Sequence, residues 1–592
     1  MPNAPLFASE SRSSMQSEER AATEEDALLG NRQDGNDRRG RYASIRELGL
    51  FLWAAIATAV VIVLAVMLTR RPDSEGVNEK PRSGKRNLIF MVSDGMGPAS
   101  LSLTRSFRQF QDGLEHNDIL ALDQHLIGTS RTRSSSSLVT DSAAGATAFS
   151  CGLKSYNGAI STLPDHSPCG TVLEAAKRAG YMTGLVVTTD ITDATPACFA
   201  SHVNLRTEGD SIAQQEVGEH PLGRVVDLML GGGRCHFLPN TTTGGCRADD
   251  KDITKLAQES FGWSYVNNRE GFDSLDLGKA VKLPLLGLFA ERDIPFEIDR
   301  QNMNDIYPSL DEMARTALTA LEAATKDSDK GFFLMIEGSR IDHAGHGNDP
   351  AAQVREVLAY DKAFSSVLDF LESSETEGVV VGTSDHETGG LSVARQLSAE
   401  YPQYLWYPEV LANASSSGEH LARMLFRHIA SSTTDNEIDG VKQYIRKTLV
   451  EDGLGIMDAS DDEIDRIAGQ PLSSPYSFAD MISRRAQIGW STHGHSAVDV
   501  NIYGSAGAGL LRGNHENTEV GEFLRQYLDV DVESITKELN EKSASFGVTS
   551  RDGANWMGKI PSEEDIRRVS SYYETRRHEE DVIALQTVSV DI

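Results

Sequence analysis

The chain has 592 residues, of which 39% are hydrophobic and 24% are charged, and its formal net charge is −31. This supply of apolar residues can build a sizeable core, either in two or three domains or in one large α/β domain with insertions. The negative charge argues against binding to nucleic acids, because a phosphate backbone attracts cationic proteins. The net charge excludes no other broad class of protein.

The N-terminal tail, residues 1–47, is rich in Ser, Glu, Asp and Arg and poor in apolar residues, so we expect it to be disordered. Within it, Glu24 precedes the pair Leu28 and Leu29, a pattern similar to the acidic dileucine signals that adaptor complexes read in vacuolar sorting. Such short patterns also arise by chance. On a cytosolic tail this one predicts an adaptor complex as a partner.

An uncharged and almost wholly apolar segment follows at residues 48–69. At a rise of about 1.5 Å per residue, a helix of this length can cross a hydrocarbon core about 30 Å thick. The segment is too long and too far from the N-terminus for a cleaved signal peptide, and a buried core helix is the alternative. We therefore expect a transmembrane helix, followed by a polar linker at residues 70–86.

Basic residues flank both ends of this segment, so charge orients it only weakly. Glycosylation sequons at Asn240 and Asn413 are better evidence of orientation. They predict a single-pass type II protein whose larger, C-terminal part lies in a lumen or outside the cell. A reduced cytosolic protein is the alternative.

Five cysteines are present, and several pairings are open to them. Cys151 with Cys169 and Cys235 with Cys246 would close short loops in an oxidising compartment. Cys198 would then be left over as a small buried apolar residue.

From Asn87 onward, short apolar runs alternate with patterns typical of helices. The runs are Leu88–Val92, Leu185–Thr188, Phe332–Ile336 and Val379–Val381. Helical patterns include "TVLEAAKRAG", which ends at Gly180, and the series Leu310, Met313, Ala317 and Leu321. Near-continuous apolar strands separated by helices predict an α/β fold with a doubly wound, mostly parallel sheet and helices on both faces.

This pattern places one α/β domain at residues 87–549. Residues 397–489 have a poorer pattern, rich in Ser and acidic residues, and we interpret them as a cap-like insertion. Residues 550–592 are again polar and charged, which predicts a loosely held or removable C-terminal tail.

Acidic and imidazole side chains follow each of the four apolar runs. They are Asp94 after the first, Asp193 and Thr195 after the second, Glu337, Asp342 and His346 after the third, and Asp385 and His386 after the fourth, with His493 later in "WSTHGH". Because ligands bind at the carboxyl ends of parallel strands, we expect these groups to meet at one edge of the sheet. Each carboxylate taken singly has the alternative role of a helix cap.

Asp, Glu and His without Cys are typical ligands of Zn²⁺ and Mg²⁺. The groups are too many for one tetrahedral site, and they suffice for two zinc ions and one magnesium ion if Asp94 bridges two of them. A nucleophile is available in Ser142 of "TDSAAGATA", at the predicted start of a helix where free N–H groups favour an anion. A simple capping role is the alternative for Ser142.

The segments "VSDGMG", "TDSAAGATA", "DATPACFASHVNLR", "EGSRIDHAGH", "TSDHETGG" and "THGH" together resemble, in order, the motifs of the metal-dependent alkaline phosphatases. The resemblance spans Asn87 to about Tyr503. With the apolar segment and the dileucine pattern, the chain is most similar to the fungal vacuolar members of that family, which implies a vacuolar membrane protein with a lumenal catalytic domain. The family also implies a homodimer and broad hydrolysis of phosphate monoesters.

The resemblance implies that Ser142 is the nucleophile that becomes phosphoserine and that Arg206 clamps the phosphate. It also implies three groups of metal ligands. They are Asp385 and His386 with the bridging Asp94 for one zinc; Asp342, His346 and His493 for the other zinc; and Thr195, Glu337 and, through water, Asp193 for magnesium.

Two departures bear on this assignment. His343 stands where some bacterial members have Lys, and Asp193 stands where mammalian members have His, which leaves the third metal open. His495 is an additional imidazole that we interpret as lying outside the zinc ligands or at the surface. A phosphodiesterase or phosphomutase of the same superfamily, and an inactive lumenal scaffold, are the rival functions.

Overall fold

The computed structural model describes residues 53, 56–59, 84–431, 438–543 and 556–569. The chain divides into two compact units, Met1–Arg82 and Ser83–Ile592. In the first unit, the described residues Trp53 and 56–59 are helical. Within the described ranges, no helix combines the length and apolar character needed to cross a bilayer.

Most of the predicted anchor at 48–69, and the predicted signal residues Glu24, Leu28 and Leu29, lie outside the described residues. The anchor and the signal therefore stay predictions.

The second unit is built around a ten-stranded sheet. Its strands are β1 (Arg86–Val92), β2 (Leu126–Arg131), β3 (Met182–Asp190), β4 (Leu228–Gly232), β5 (Ser264–Val266), β6 (Leu285–Leu288), β7 (Phe332–Glu337), β8 (Glu377–Thr383), β13 (Val500–Gly504) and β14 (Gly513–Glu516). Four two-residue strands lie outside it: β9 (Glu387–Thr388), β10 (Ser392–Val393), β11 (Ile488–Gly489) and β12 (His495–Ser496). The spatial order is β14-β2-β13-β8-β1-β7-β3-β4-β6-β5.

The sheet is mostly parallel, as the alternating pattern predicts, with β13 antiparallel to both β2 and β8. The four predicted runs form β1, β3, β7 and β8, and these are consecutive neighbours in the order β8-β1-β7-β3. The register sets Val92 beside Glu337 on one side and beside Thr383 on the other. These three strands therefore end level, and the residues that follow them reach the same edge.

Both faces of the sheet are buried. Successive residues of β1 belong to cores on opposite faces. Leu88 and Phe90 belong to one core, which also includes residues of the C-terminal helices Asn517–Leu528 and Val532–Ser543. Ile89 belongs to the other core, which includes residues of the helices Leu310–Thr325 and Pro350–Ser373. The predicted helices on both faces are thus confirmed.

The helices of the described residues lie between and after these strands. The α-helices up to β8 are Pro98–Gln111, Ala121–Gln124, Ser142–Cys151, Val172–Arg178, Ala194–Ala200, Gly209–Val217, Ile253–Phe261, Arg269–Asp273, Glu297–Arg300, Leu310–Thr325, Arg340–His346 and Pro350–Ser373. Those after β8 are Pro408–Asn413, Gly418–Ser431, Ile438–Tyr444, Asp461–Gly469, Ser474–Ala486, Asn517–Leu528, Val532–Ser543 and Glu563–Val569, with a π-helix at Ile445–Gly453.

The region interpreted as an insertion is helical. Its helices share a third core with the helices Pro98–Gln111 and Pro350–Ser373. Next to its ends, Val393 of β10 pairs with Ile488 of β11, so the chain leaves and re-enters the main unit at adjacent points.

The described part of the C-terminal tail, residues 556–569, is packed rather than loosely held. Met557 is buried, and its carbonyl accepts a hydrogen bond of 2.9 Å from the Asn204 amide. Val569 is also buried. These apolar residues, within a segment whose average composition is polar, are the physical reason for the difference.

Two disulfides are present, Cys151–Cys169 and Cys235–Cys246, and Cys198 is free and buried, as expected. Burial raises the pKa of the Cys198 thiol to about 12, which keeps it protonated. Asn240 and Asn413, the asparagines of the two predicted glycosylation sequons, are both exposed.

Candidate functional site

Asp94 follows β1 at the carboxyl edge of the sheet, with glycines on both sides of Met96. Gly95 has φ +72°, and a Cβ there would lie 2.6 Å from the Asp342 Cα. Glycine is therefore required by both the backbone conformation and the close approach of the neighbouring chain. This turn lets Asp94 lie beside the residues that follow β7 and β8.

Ser142 is the first residue of the helix Ser142–Cys151, and Asp141 is its N-cap, accepting a 3.0 Å hydrogen bond from the Ala144 amide. All ten helical residues are buried. A Cβ on Gly145 would lie 2.8 Å from the Asp385 Cβ, so the small residues allow this helix to approach the loop after β8. The predicted position of Ser142 at a helix N-terminus is confirmed.

The first cluster of candidate ligands joins Asp94, Asp385 and His386 beneath Ser142. His386 Nε2 lies 3.1 Å from Ser142 Oγ, 3.1 Å from Asp385 Oδ2 and 3.6 Å from Asp94 Oδ1. His386 Nδ1 lies 3.2 Å from the hydroxyl of Thr388. That hydroxyl donates to Asp342, so it accepts from Nδ1, and Nε2 faces two carboxylates. Against the effect of burial, the charge of Asp385 raises the pKa of His386.

A cation fits this cluster. Asp94 Oδ1 and Asp385 Oδ2 are buried and have no hydrogen-bond partner among the described residues. Burial and then the charge of Asp385 raise the pKa of Asp94 well above its ordinary value. Two buried carboxylates opposite an imidazole Nε2 are an arrangement that a metal ion satisfies by taking the place of a proton.

The second cluster joins Asp342, His346 and His495. The Nε2 atoms of the two imidazoles are 3.2 Å apart, and His346 Nε2 lies 3.3 Å from Asp342 Oδ2. His495 Nδ1 donates to the Thr140 carbonyl at 2.8 Å, and His346 Nδ1 donates to the His493 carbonyl. Burial lowers the pKa of His495 to about 3, so its Nε2 carries a lone pair, as a metal ligand requires.

The structure corrects the prediction for the neighbouring histidine. His493 is exposed, and its Nδ1 donates to the His346 carbonyl at 2.8 Å. Its ring packs against that of Tyr476, with centroids 4.5 Å apart. His495, expected to lie outside the ligands, takes the place expected of His493 because β12 begins at His495 and pairs it with Thr388 of β9.

The predicted magnesium ligands Glu337, Thr195 and Asp193 are buried at the adjoining part of the same edge. Glu337 Oε2 accepts a 2.5 Å hydrogen bond from Ser339, and burial, with the charge of Asp193, raises the pKa of Glu337 to about 8. The Thr195 hydroxyl interacts with Glu337. A buried carboxylate whose pKa is raised, beside a hydroxyl oxygen, fits a hard cation such as Mg²⁺.

Arg206 is held between two carboxylates at the mouth of the site. Its Nη2 lies 2.7 Å from Asp193 Oδ1, and its Nη1 lies 3.5 Å from Asp141 Oδ2. The backbone supports this position, since the Arg206 amide donates to the Gly158 carbonyl at 2.8 Å. A guanidinium fixed in this way presents a planar fork to an oxyanion. Asp141, which also caps the helix of Ser142, is a functional residue that the sequence patterns do not single out.

A cavity of about 270 Å³ opens above these groups. Ser142, Asp193, Arg206, His343 and His495 are among the residues that line it, and Val569 of the C-terminal segment forms part of its wall. The volume suits a phosphate group with a small part of its ester. The cavity thus contains the predicted nucleophile and the predicted clamp.

Two further groups of candidate ligands lie outside the cavity. Cys235 and Cys246, near His236, are joined in a disulfide and are not available as thiolates. Glu174, His202 and His220 form a second, fully buried group.

Hydrogen bonds, rather than a metal ion, explain the close approach of Glu174, His202 and His220. His202 Nδ1 lies 2.9 Å from the Ser161 carbonyl, which requires a donor, and its Nε2 lies 2.9 Å from Glu174. His220 Nδ1 accepts from the Leu222 amide, so a proton on its Nε2 faces the same carboxylate. A metal on that nitrogen would leave neither ring nitrogen protonated, so this group is a buried polar network.

Comparison with known proteins agrees with this geometry. The family model described as alkaline phosphatase matches residues 85–530. The chain is 54% identical over 515 residues to the repressible alkaline phosphatase of Saccharomyces cerevisiae, covering 82% of this chain and 89% of the relative.

Two solved structures are also similar. Alkaline phosphatase from Thermus thermophilus has a TM-score of 0.65 at 26% identity, covering 84% of this chain and 98% of that chain. A mutant alkaline phosphatase from the Antarctic bacterium TAB5, described with Mg bound in its M3 site, has a TM-score of 0.51 at 25% identity, covering 76% of this chain and 99% of that chain.

Proposed function

This chain belongs to the alkaline phosphatase family, whose members hydrolyse phosphate monoesters, and we propose that it does so at alkaline pH through a phosphoserine formed on Ser142. The observation that carries the proposal is the position of the Ser142 hydroxyl. It lies at a helix N-terminus, 3.1 Å from His386 Nε2 and beside the orphaned oxygens of Asp94 and Asp385.

The ligand set supports two zinc ions and one magnesium ion per chain. Asp94, Asp385 and His386 would hold one zinc, and Asp342, His346 and His495 the other. Thr195 and Glu337, with Asp193 nearby, would hold magnesium, the metal with which the TAB5 mutant is described. When bound, such ions lower the pKa of hydroxyl groups and neutralise negative charge on the attacking and leaving oxygens.

The chain's own residues perform the remaining work. Arg206, fixed by Asp193 and Asp141, binds two phosphoryl oxygens and orients the phosphorus for in-line attack. The Ser142 hydroxyl loses its proton to solvent and its Oγ forms the new P–O bond, while the ester oxygen leaves with the electron pair of the broken bond and takes up a proton. Water then attacks the phosphorus from the side that the ester oxygen left, opposite Ser142 Oγ. The P–Oγ bond breaks, inorganic phosphate is released, and Ser142 Oγ regains a proton. The free N–H groups of the helix N-terminus favour the anionic forms at each stage.

The test compares the purified lumenal part with its Ser142→Ala variant on a phosphate monoester and a phosphate diester between pH 7 and 10. We expect the monoester to be the faster substrate, with activity rising toward alkaline pH and lost in the variant. Mass spectrometry after an acid quench should find one phosphate on Ser142. A faster diester reaction would indicate a phosphodiesterase, and an inactive parent protein would indicate a scaffold.

We also propose that the protein is a single-pass type II protein of the vacuolar membrane, anchored by residues 48–69, with the catalytic unit in the lumen. The two disulfides and the exposed sequon residues Asn240 and Asn413 support an oxidising, glycosylating environment for that unit. Protease protection of the catalytic unit in intact vacuoles, with endoglycosidase sensitivity, tests this. Digestion without membrane disruption would contradict it.

A further inference from the structure

Asp293 lies in the segment between β6 and the helix Glu297–Arg300, and this segment is fixed against the carboxyl end of β3. The Ile294 amide donates to the Thr188 carbonyl at 2.9 Å, and the Gly233 amide donates to the Arg292 carbonyl at 3.1 Å. The Asp293 side chain is only 10% exposed. Its carboxylate therefore occupies a defined position close to the site.

The two oxygens of this carboxylate contact two different elements next to the cavity. Oδ1 accepts a 3.0 Å hydrogen bond from the Asp190 amide, at the end of the strand that leads to Asp193. Oδ2 lies 3.2 Å from Nδ1 of His343, on the helix that carries Asp342 and His346. Asp193 and Arg206, which follow β3, line the cavity, and so does His343. Asp293 thus links the end of β3 to the helix that bears His343.

A buried arginine lies next to the contact between Asp293 and His343. Arg340 is 2% exposed; its Nε lies 3.3 Å from His343 Nδ1 and 4.0 Å from Asp293 Oδ2. Its Nη1 donates to the Ile294 carbonyl at 3.1 Å, and its Nη2 lies 2.7 Å from Glu419. Because the Arg340 Nε–H donates to His343 Nδ1, that nitrogen does not also donate to Asp293, and the carboxylate acts on the His343 ring together with the guanidinium that it faces.

We propose that Asp293 is a positioning residue of the phosphate pocket, which sets the separation between the end of β3 and the helix that bears His343 and holds the His343 ring against the bound phosphate. This inference rests on the proposed phosphatase site. Because its contacts are with the Asp190 amide, His343 and Arg340, we expect its effect on phosphate binding rather than on bond formation.

Asp293→Asn is the informative variant, because an amide oxygen can still accept from the Asp190 amide while the charge facing His343 is lost. We expect KM and the inhibition constant of inorganic phosphate to rise about 3- to 10-fold, the range for one charge-assisted hydrogen bond, with a smaller change in kcat. Asp299→Asn is the matched control. Asp299 is also buried and also accepts a backbone hydrogen bond, from Ser417 at 3.0 Å, and it does not border the cavity.

A double-mutant cycle with His343→Ala separates positioning from a general loss of stability. In the His343→Ala background, Asp293→Asn should have little further effect on the phosphate inhibition constant. An unchanged inhibition constant in folded Asp293→Asn, or the same increase in both backgrounds, would overturn the proposal.

If Asp293→Asn does not fold, Asp293→Glu and His343→Ala alone decide the matter. Each should weaken inhibition by phosphate while thermal unfolding stays close to that of the parent protein. Normal phosphate inhibition in both would overturn the proposal. The phosphatase assignment is judged separately, on the parent protein and Ser142→Ala.

Discussion

The imidazoles of His346 and His495 face each other through their Nε2 atoms at 3.2 Å, while each ring donates through Nδ1 to a backbone carbonyl. A contact of this kind is either a hydrogen bond, with a proton on one Nε2, or a pair of facing lone pairs. A cation bound by both nitrogens and by the Asp342 carboxylate would satisfy all three groups. The backbone carbonyls therefore select the tautomer that binds metal.

This relationship predicts different outcomes for the two histidines of "THGH". His495→Ala should lose about 100-fold or more in kcat/KM together with part of the bound zinc, because a metal ligand is removed. His493→Ala should keep both within about threefold, since changes at an exposed side chain are small. Elemental analysis of dialysed protein, alongside monoester hydrolysis, measures both. Equal metal loss in the two variants would contradict the assignment of His495.

Arg206 predicts a specific loss of oxyanion binding. In Arg206→Lys a point charge replaces a planar fork fixed by Asp193, so the phosphate inhibition constant should rise and kcat/KM should fall, each by about 10- to 100-fold. Arg224→Lys is the control, because Arg224 also pairs with a carboxylate, Asp227, at 2.6 Å, away from the cavity. Inhibition titrations with phosphate check the prediction, which fails if the two variants behave alike.

Gly145 predicts a steric limit next to the nucleophile. In Gly145→Ala the added Cβ would lie 2.8 Å from the Asp385 Cβ, so we expect a destabilisation of about 1–3 kcal/mol and a larger loss of activity as Asp385 is displaced. Gly469→Ala is the control, since nothing lies within 4 Å of a Cβ there. Thermal unfolding and kcat report the two effects. Normal activity in Gly145→Ala would show that the loop adjusts freely.

Glu463 predicts a pH-dependent contribution to stability in the helical insertion. The hydrogen bonds from Arg485 lower the pKa of Glu463 to about 2 from its ordinary value of 4.5. Because the folded-state pKa is depressed, the stabilisation is fully present above pH 4.5 and is lost as the pH falls toward 2.

Glu463→Gln should therefore lower the free energy of unfolding at pH 6 by ~0.2–1 kcal/mol, a range kept small because the pair is partly solvated. Below about pH 2 the variant and the parent should converge. Glu259→Gln, at a carboxylate 3.9 Å from Lys255, should differ little from the parent at either pH. Denaturant unfolding at several pH values tests this, and a difference that persists below pH 2 would contradict it.

The parts of this protein that can be predicted from sequence are those set by local patterns. The four apolar runs become the adjacent central strands β8, β1, β7 and β3, because only strands buried on both faces are apolar throughout. Ser142 lies at a helix N-terminus because Asp141 is a good cap and small residues follow it.

The parts that could not be predicted depend on pairings between distant segments. His493 and His495 differ in sequence context by very little, and the choice between them is made by the pairing of β12 with β9. Similarly, nothing local indicates that Val569 borders the cavity, because its place depends on where the C-terminal segment packs. The partnership of Asp293 with His343 also joins separate loops.

The position of β13 has a consequence for the order in which the enzyme becomes active. β2, which ends eleven residues before Ser142, pairs with β13 and β14 alone in the sheet described, and both are made near the end of synthesis. In a nascent chain β2 therefore lacks both of its neighbours in the sheet until residues 500–516 have left the ribosome. Ribosome-bound chains stalled before residue 500 should show no monoesterase activity, whereas released full-length chains should show it.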